Sequence, residues 1–223
     1  MIKLEKTEVV GWEHAIRGMR NPMNSWDKSD SWCELKEYGE SEKTFVGEKD
    51  LELMRKLAHN GSVHAKYRRM IVVYVDILAP LYWWKEFDTY KVGTVANSCS
   101  TMHKIHEKEF TLDDFSHEHL DKYKGIIPDH VDQNPYDVLV YDIIGCLNYA
   151  REVYLETKDK RFWWQMIQLL PSSYNQKRTV MLNYEVLANI YHSRKDHKLD
   201  EWRAFCYWIE SLPLSEIITL EEK

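Results

Sequence analysis

The sequence predicts an α+β protein. The stretch Tyr67–Ile77 is rich in β-branched and aromatic residues, with apolar side chains at both alternating positions, as is typical of a strand buried on two sides. Several later segments repeat their apolar residues at helical spacing instead. The hydrophobic fraction of 44% can form a sizeable core in a chain of 223 residues, which we expect to be a single domain over 1–223.

The N-terminal part of the chain alternates short regular elements with polar sequence. We predict a short strand, a short helix, a long loop and a second helix over 1–12, 15–21, 23–47 and 51–59. Pro22 ends the first helix, because the residue before a proline disfavours helical geometry. Asp50 is predicted to cap the second helix, and Gly61 lies just past its end.

The central strand leads into an aromatic helix and a polar segment. Ala79-Pro80 should end the strand, because proline cannot donate to a central ladder. Leu81–Phe87 has helix-compatible composition, with Pro80 near its first turn. Asp88–His103 is small, polar and glycine-containing, which fits either a ligand-binding platform or an ordinary surface loop.

The C-terminal half is predicted to be mostly helical. Thr111–Asp114 resembles a capping box that starts a short helix to about Tyr123. Asn134 and Pro135 have the residue types of a helix cap and first helical position. A loop is predicted over 125–133. Four helices are predicted after it, over 134–154, 162–170, 180–193 and 199–212.

Composition excludes several classes of function. The net charge of −6 argues against a nucleic-acid-binding module. Apolar runs are too short to span a bilayer, and the N-terminus lacks the apolar core of a signal peptide, so we expect no membrane association. The four cysteines form no CxxC pair, which favours reduced thiols and a cytoplasmic location.

Motifs for other chemistries are absent from the sequence or weak. His103, His106, His117 and His119 stand among charged, loop-like residues, which favours solvated histidines over a metal site. No cysteine stands in a nucleophile signature, and there is neither a GxGxxG nor a GxxxxGK[ST] loop. The tryptophan pairs Trp83-Trp84 and Trp163-Trp164 are predicted to pack in the core or at interfaces.

A stronger indication comes from the spacing of three polar residues. Asn189 and Arg194 follow Asn183 by six and eleven residues. If all three lie on one helix, Asn183 and Arg194 are about three turns apart and share nearly one face. The pattern taken alone also fits an exposed polar face.

At these positions the chain resembles the flavin-dependent thymidylate synthases, the ThyX family. The family's signature is R-H-R-x-x-S-x-N-E-x-S-x-R after a strand ending in Ala-Pro and a short aromatic helix. Here Ala79-Pro80 and Leu81–Phe87 precede Asn97-Ser98-Cys99-Ser100. The family's later L-P, N, N and R occur at matching spacing, and the resemblance covers about residues 50 to 210. The matching residues are Leu170-Pro171, Asn183, Asn189 and Arg194, with Gly61–Lys66 at the family's glycine-histidine segment and Trp202 near its A-Q-W tryptophan.

The chain departs from the family inside the signature. Thr89, Tyr90 and Lys91 stand where the family has R-H-R, if one residue is inserted before Asn97. Ser98 replaces the glutamate and Met102 the last arginine, whereas Asn97 and Ser100 are kept. In the family these arginines hold phosphate groups, and lysine cannot reproduce their bidentate recognition. The departures imply that other cations (Lys66, Arg68, Arg69, Lys104) substitute, that the ligand differs, or that activity is lost.

The resemblance implies a twisted, mainly antiparallel sheet flanked by helices, in a homotetramer that binds FAD. It also implies methylation of dUMP to dTMP, with methylenetetrahydrofolate and NADPH as co-substrates and no attacking cysteine. Arg194 matches the arginine that polarises the uracil ring. The alternatives are a relative that modifies another pyrimidine nucleotide, for example by hydroxymethyl transfer, and a non-catalytic flavin- or nucleotide-binding protein. Flavin candidates are His64, Lys66, Tyr90, Lys91, Asn97, Asn183 and Asn189, and substrate candidates are Glu86, Ser98, Cys99, Ser100 and Arg194.

Overall fold

A computed structural model describes residues 2–34, 43–122 and 134–221. The chain divides into two compact units. Unit 1 comprises Met1–Lys3, Leu78–Asp88 and Asn97–Arg178, and unit 2 comprises Leu4–Ile77, Thr89–Ala96 and Thr179–Lys223. A single domain over 1–223 stays a prediction.

Helices and antiparallel strands together form the described part of the chain, which confirms the predicted α+β class. The strands are β1 (Lys3–Val10), β2 (Trp32–Glu34), β3 (Lys43–Phe45), β4 (Val72–Pro80), β5 (Val95–Ser98) and β6 (Asn175–Asn183). Hydrogen bonds order the four-stranded sheet as β1-β4-β6-β5, and β2 pairs with β3 in a separate two-stranded sheet. Consecutive members of the larger sheet are mostly not consecutive in the chain, so it forms only when distant segments meet.

The helices lie before, between and after these strands. Their bounds are α1 (Trp12–Arg20), α2 (Glu48–His59), α3 (Leu81–Phe87), α4 (Pro135–Asp137), α5 (Ile144–Thr157), α6 (Lys160–Leu169), α7 (Tyr184–Arg194), α8 (Asp200–Glu210) and α9 (Glu216–Thr219). A π-helical stretch, Val138–Ile143, joins α4 to α5. Most predicted helices are confirmed to within a few residues, since their ends carry the expected caps and prolines.

Strand β4 differs from its prediction at its start and in its burial. Residues from Lys66 to Met70 form a 3-10 turn, and the strand begins at Val72. Val73, Val75 and Ile77 are buried, whereas the intervening Tyr74 is 43% exposed. The prediction of two buried faces is therefore wrong for this chain, because β-branched and aromatic composition reports strand propensity and does not show that both faces are covered.

Strand β6 occupies the first four residues, 180–183, of a segment with a predicted helix. The helix predicted over 180–193 begins only at Tyr184, because β6 runs to Asn183. Val180, Tyr184 and Leu187 satisfy helical spacing, but Val180 and Leu182 are also buried at the period of two that a strand requires. Asn183 is therefore the cap of α7 and does not lie on its face, so the predicted shared helical face of Asn183 and Arg194 is wrong.

Helix α2 is capped from a distant loop and not by Asp50. The helix begins at Glu48, which places Asp50 in its first turn. The Asp30 carboxylate accepts hydrogen bonds from the backbone N–H groups of Lys49 at 3.0 Å and Asp50 at 3.2 Å. Asp30 thus satisfies the N-terminal donors of the helix, and the prediction of Asp50 as the cap is wrong.

Asp50 is the centre of a buried polar network in unit 2. Its fully buried carboxylate accepts from Arg20 Nε at 2.6 Å, Ser29 Oγ at 2.6 Å and Ser31 Oγ at 2.7 Å. The backbone N–H groups of Ser31 and Asp30 donate to the same carboxylate at 3.1 and 3.2 Å. Burial raises the pKa of Asp50, but the bonds from Ser29, Ser31 and Arg20 together hold that pKa below its usual value.

The network organises residues 23–47, which were predicted to form a long loop. The described part of that segment contains a 3-10 turn, Trp26–Lys28, and the antiparallel pair β2 and β3. Trp32 and Phe45 are opposite each other in this pair, and their rings stack with centroids 4.2 Å apart. The loop prediction is therefore wrong for the described residues, because polar composition concealed side chains that bond to one another.

Unit 1 has its own apolar core between the turn after Thr111 and the helices that follow. Thr111 and Asp114 form the predicted capping box, but it starts only the 3-10 turn Leu112–Asp114. Asn134 caps the next helix as predicted, and its side chain accepts from the N–H of Asp137 at 2.8 Å. Residues 123–133, with the predicted loop, lie outside the described residues. The buried core consists of Ile105, Phe110, Phe115, Leu139, Ile144, Leu147, Ala150 and Met166.

Candidate functional site

Two aromatic side chains of unit 2 hold Arg194 at the C-terminal end of α7. Arg194 Nε donates to the phenol oxygen of Tyr90 at 3.0 Å. The guanidinium carbon lies 4.7 Å from the centre of the fully buried Trp202 ring. The Tyr90 and Trp202 rings are 6.0 Å apart at 67°. Stacking on one ring and a hydrogen bond to the other together fix the plane of the guanidinium group.

The segment that carries Tyr90 also contacts the start of α7. Gly93 has φ of +78°, and a Cβ there would lie 2.9 Å from Asn183 Nδ2 and 3.1 Å from Val186 Cγ2. The Asn183 side chain in turn accepts from the N–H of Val186 at 3.0 Å, as a helix cap does. A glycine is required at this close approach, for both its backbone angle and its lack of a side chain. Tyr90 and Gly93 thus place one short segment against both ends of the helix.

The other flavin candidates of unit 2 lie on its surface. His64, Lys66 and Lys91 are exposed in loops or turns, and Asn189 is exposed on α7. Asn183 and Tyr90 differ from them, because the Asn183 oxygen caps a helix and the Tyr90 oxygen accepts from Arg194. The candidates therefore fall into a group that contacts the protein and a group that is open to a ligand from solvent.

Arg68 and Arg69, which the sequence suggests as alternative phosphate-binding cations, have different environments. Arg68 is fully buried, and its Nη1 lies 4.0 Å from Glu185 Oε2. Arg69 is exposed, and its Nη2 lies 3.7 Å from the other oxygen of Glu185. The same buried glutamate therefore faces both guanidinium groups, which suits Arg68 to a structural role and leaves Arg69 at the surface.

Unit 1 contains the substrate candidates Glu86, Ser98, Cys99 and Ser100, together with the flavin candidate Asn97. The backbone of Cys99 is bonded on both sides to strand β6: its N–H donates to Lys177 O at 2.9 Å, and its carbonyl accepts from Gln176 Nε2 at 2.9 Å. Asn97, Ser98 and the Cys99 side chain are exposed. Glu86, on α3, is half-buried. The backbone of this polar segment is therefore fixed, although its side chains are open.

Ser100 has a local structural role. Its Oγ accepts from the backbone N–H groups of Met102 and His103, at 3.2 and 2.9 Å. The carbonyl of Met102 accepts from Trp163 Nε1 at 3.0 Å. Ser100 therefore shapes the turn that follows the polar segment, as serine often does.

Sequence reasoning missed Gln176 and Arg178, which organise unit 1 around this segment. Arg178 stacks on the Trp84 ring at 4.1 Å, and its Nη1 donates to Asp88 at 2.7 Å. Its Nε donates to Gln176 Oε1 at 3.0 Å, and Trp84 Nε1 donates to the Gln176 carbonyl at 2.9 Å. The period-two pattern of Val180 and Leu182 could have revealed the strand, but no motif marks these contacts.

The described residues contain neither a cluster of metal-ligating side chains nor a helix that could span a membrane. No group of three or more histidine, cysteine, aspartate or glutamate side chains in those residues could hold a metal ion. None of the helices within 2–34, 43–122 and 134–221 has the length and apolar character needed to cross a membrane.

Comparison with solved structures identifies the fold. Thymidylate synthase X from Helicobacter pylori, in a crystal structure with FAD and dUMP, matches with a TM-score of 0.65 at 15% identity, over 99% of this chain and 98% of that one. A second structure of that enzyme with FAD and dUMP matches with a TM-score of 0.65 at 16% identity, over 98% of each chain. The UMP/dUMP methylase PolB from Streptomyces cacaoi, bound to 5-Br dUMP, matches with a TM-score of 0.55 at 15% identity, over 98% of this chain and 93% of that one.

Sequence comparison adds no closer relative, since neither a protein-family model nor a curated protein matches the chain. Agreement over almost the whole length of both chains nevertheless leaves little of this protein outside the shared fold. The predicted ThyX-like arrangement of sheet and helices is therefore confirmed, and this chain has the fold of the thymidylate synthase X enzymes.

Proposed function

We propose that the protein is an FAD-dependent enzyme that methylates dUMP to dTMP, with methylenetetrahydrofolate as the carbon donor and NADPH as the reductant. The observation that carries the proposal is the fixed guanidinium group of Arg194, held by Tyr90 and Trp202. It occurs in a chain that shares its fold with enzymes crystallised with FAD and dUMP.

Arg194 is assigned the role of stabilising negative charge on the uracil ring. A guanidinium group is charged at any working pH and can donate two parallel hydrogen bonds to a planar edge. Negative charge grows on the carbonyl oxygen of a pyrimidine ring when the ring is converted to the enolate-like form whose carbon can attack an electrophile. A cation already fixed in orientation stabilises this activated ring more than the neutral ground state. Tyr90 is assigned here to positioning Arg194, since its oxygen is already bonded to that side chain.

The remaining polar side chains fit a bound flavin in part. Lys66 and Lys91 are exposed cations that would hold the diphosphate, and His64 and Asn189 are exposed groups that would bind the ring or ribose. Asn97, the remaining flavin candidate, belongs to unit 1. Asn183 would act through its Nδ2 group, because its oxygen caps α7. When bound, FAD would supply the hydride that reduces the transferred carbon.

The polar segment of unit 1 is assigned to the nucleotide. The exposed Ser98 hydroxyl offers a hydrogen-bonding group for a phosphate or sugar, and the bonds of the Cys99 backbone to β6 hold this segment in place. Ser100 would contribute through the turn it shapes, and Glu86 through its half-buried carboxylate. No attack by the Cys99 thiol is part of the proposed reaction.

A second candidate is a relative that modifies another pyrimidine nucleotide, for example by hydroxymethyl transfer, or that only binds a flavin or nucleotide. The replacement of three motif arginines by Thr89, Lys91 and Met102 favours it. Each replacement removes a bidentate phosphate donor. The remaining polar side chains would then suit a ligand whose phosphate groups lie at other positions.

We also propose a homotetramer located in the cytoplasm. Tyr74 on β4 and Trp164 on α6 are 43% and 45% exposed, and large apolar side chains of this kind are suited to contacts between subunits. A monomeric mass by light scattering at micromolar concentration would contradict the assembly.

An absorption spectrum and a tritium-release assay test the proposal. Purified protein, alone or after addition of FAD, should show visible flavin bands and gain thermal stability with FAD. It should release tritium from 5-tritiated dUMP when methylenetetrahydrofolate and NADPH are present. Flavin binding without tritium release would favour the second candidate, and the absence of both would refute the assignment.

A further inference from the structure

A cavity of about 560 Å³ opens in unit 2, away from Arg194 in the chain and built from different residues. Helix α1, the turn after it and the strands β2 and β3 form its walls. The volume falls within the range of roughly 300–1,000 Å³ that is usual for small-molecule sites. None of the residues assigned above to FAD or dUMP lines it.

Two tryptophan rings line this cavity and are accessible. Trp26 is 51% exposed and Trp32 is 56% exposed. Trp26 Nε1 donates to Asn21 Oδ1 at 2.8 Å, and Trp32 stacks on Phe45 at 4.2 Å, so both rings have fixed orientations. Half-exposed indole faces inside a cavity favour a planar aromatic partner, because such rings stack and displace water.

The floor of the cavity is held by the buried network around Asp50. Ser29, Ser31 and Arg20 line the cavity, and each donates a hydrogen bond of 2.6 or 2.7 Å to the Asp50 carboxylate. The charge of Arg20 is thereby compensated within the protein. A wall built in this way is pre-organised, which reduces the entropy lost on binding.

An arginine on α1 supplies a cation at the cavity. The Arg17 side chain is 62% exposed, and its Nη1 lies 3.9 Å from Glu13 Oε1, which is beyond hydrogen-bonding distance. Its Nη2 lies 3.1 Å from His14 Nδ1. An exposed ion pair of this length is weak, so a ligand anion can compete for Arg17.

We propose that this cavity binds a planar aromatic ring that carries one carboxylate or phosphate group. The ring stacks on the indoles of Trp26 and Trp32, and the anionic group pairs with the guanidinium group of Arg17. A phosphate-bearing ring would make the ligand a nucleotide, and a carboxylate-bearing ring would make it an aromatic acid.

Binding to the 223-residue chain is measured by isothermal titration calorimetry with four probes. Indole-3-acetate and UMP test the carboxylate and the phosphate, and indole-3-acetamide and uridine are their neutral counterparts. We expect one anionic probe to bind with Kd below about 1 mM and its neutral counterpart to bind several-fold more weakly. Trp32→Ala should weaken binding about tenfold, Trp32→Phe should retain most of it, and Arg17→Gln should remove the preference for the anion.

Matched controls lie on α6. Trp164→Ala removes another half-exposed indole, and Arg161→Gln removes another exposed guanidinium group, so neither should change the affinity. The proposal is wrong if no anionic probe binds, or if the control variants weaken binding as much as Trp32→Ala and Arg17→Gln. The variant Arg194→Ala distinguishes the two sites. If dUMP binding is lost in Arg194→Ala and kept in Trp32→Ala, dUMP binds at the proposed active site. If probe binding is lost in Trp32→Ala and kept in Arg194→Ala, the probe binds in this cavity.

Discussion

Replacement of Asp50 by alanine should destabilise the protein far more than the loss of a helix cap would. The substitution removes the acceptor of five hydrogen bonds, from Arg20 Nε, Ser29 Oγ, Ser31 Oγ and the backbone N–H groups of Asp30 and Ser31. It also leaves the buried guanidinium group of Arg20, whose side chain is 5% exposed, without its carboxylate.

The expected loss in the free energy of unfolding follows from these contacts. Removal of one partner from a buried ion pair typically costs about 3–5 kcal/mol, because the other charge stays buried. Loss of a capping side chain costs only about 1 kcal/mol. In a chain of this size a loss of 3–5 kcal/mol lowers Tm by roughly 10 °C. The loss in the free energy of unfolding therefore distinguishes a buried ion-pair partner from a helix cap at Asp50.

Urea unfolding followed by circular dichroism measures the difference. Asp27→Ala, an exposed carboxylate of the same segment, is the control and should change stability by less than about 0.5 kcal/mol. The double variant Arg20→Met/Asp50→Leu should recover part of the loss, because it leaves no buried charge. If Asp50→Ala loses only about 1 kcal/mol, or if the double variant is no more stable than the single one, the buried-charge argument is refuted.

The same network makes a prediction about pH. The pKa of Asp50 is lower in the folded protein than in the unfolded chain. Its contribution to stability is therefore fully present above the unfolded value of about 4, and is lost as pH falls through the folded value. Wild-type protein should lose stability below about pH 4 more steeply than Asp50→Asn, and equal slopes for the two proteins would contradict the assignment.

Three further predictions concern the site around α7. Arg194→Ala should lower tritium release from dUMP about a hundredfold or more and spare FAD binding, whereas Arg203→Ala on the same tail should change neither; equal activity of wild type and Arg194→Ala would remove the residue from the mechanism. Tyr90→Phe keeps the aromatic ring and loses the hydrogen bond to Arg194 Nε, so kcat should fall about tenfold with FAD affinity unchanged. A loss of FAD affinity instead would show that Tyr90 binds the cofactor. Gly93→Ala should cost about 1 kcal/mol or more in thermal unfolding, because φ is +78° and Asn183 lies 2.9 Å away, whereas Gly145→Ala in open space on α5 should stabilise slightly; a neutral Gly93→Ala would show that the segment does not need this contact.

The parts of the fold that could be predicted from sequence are those fixed by local chemistry. The α3 helix after Pro80, the capping box at Thr111 and the cap at Asn134 all occur where the residue types place them. Each depends on interactions within a few residues of the chain, which a sequence pattern records directly. Arg194 was selected through the family resemblance, and its role stays a proposal.

The parts that sequence reasoning missed depend on contacts between distant residues. Val180 to Leu187 fits a helix and a strand equally well until β6 finds its neighbours in the sheet. Asp50 looks like a cap because aspartate is a common cap, but Asp30, twenty residues away, performs that role. The contact between Tyr90 and Arg194 spans 104 positions, and nothing in either local sequence indicates it.

The proposed resemblance aligns Tyr90 with the family's histidine, and the Tyr90 oxygen accepts from Arg194. The cations left for a diphosphate in unit 2 include the exposed lysines Lys66 and Lys91, which act as hydrated point charges and not as planar forks. Interactions of exposed point charges are screened by salt over about 8–10 Å at physiological ionic strength. If the proposed function is right, FAD affinity should therefore fall steeply with added salt, while the stacked and hydrogen-bonded Arg194 keeps its geometry.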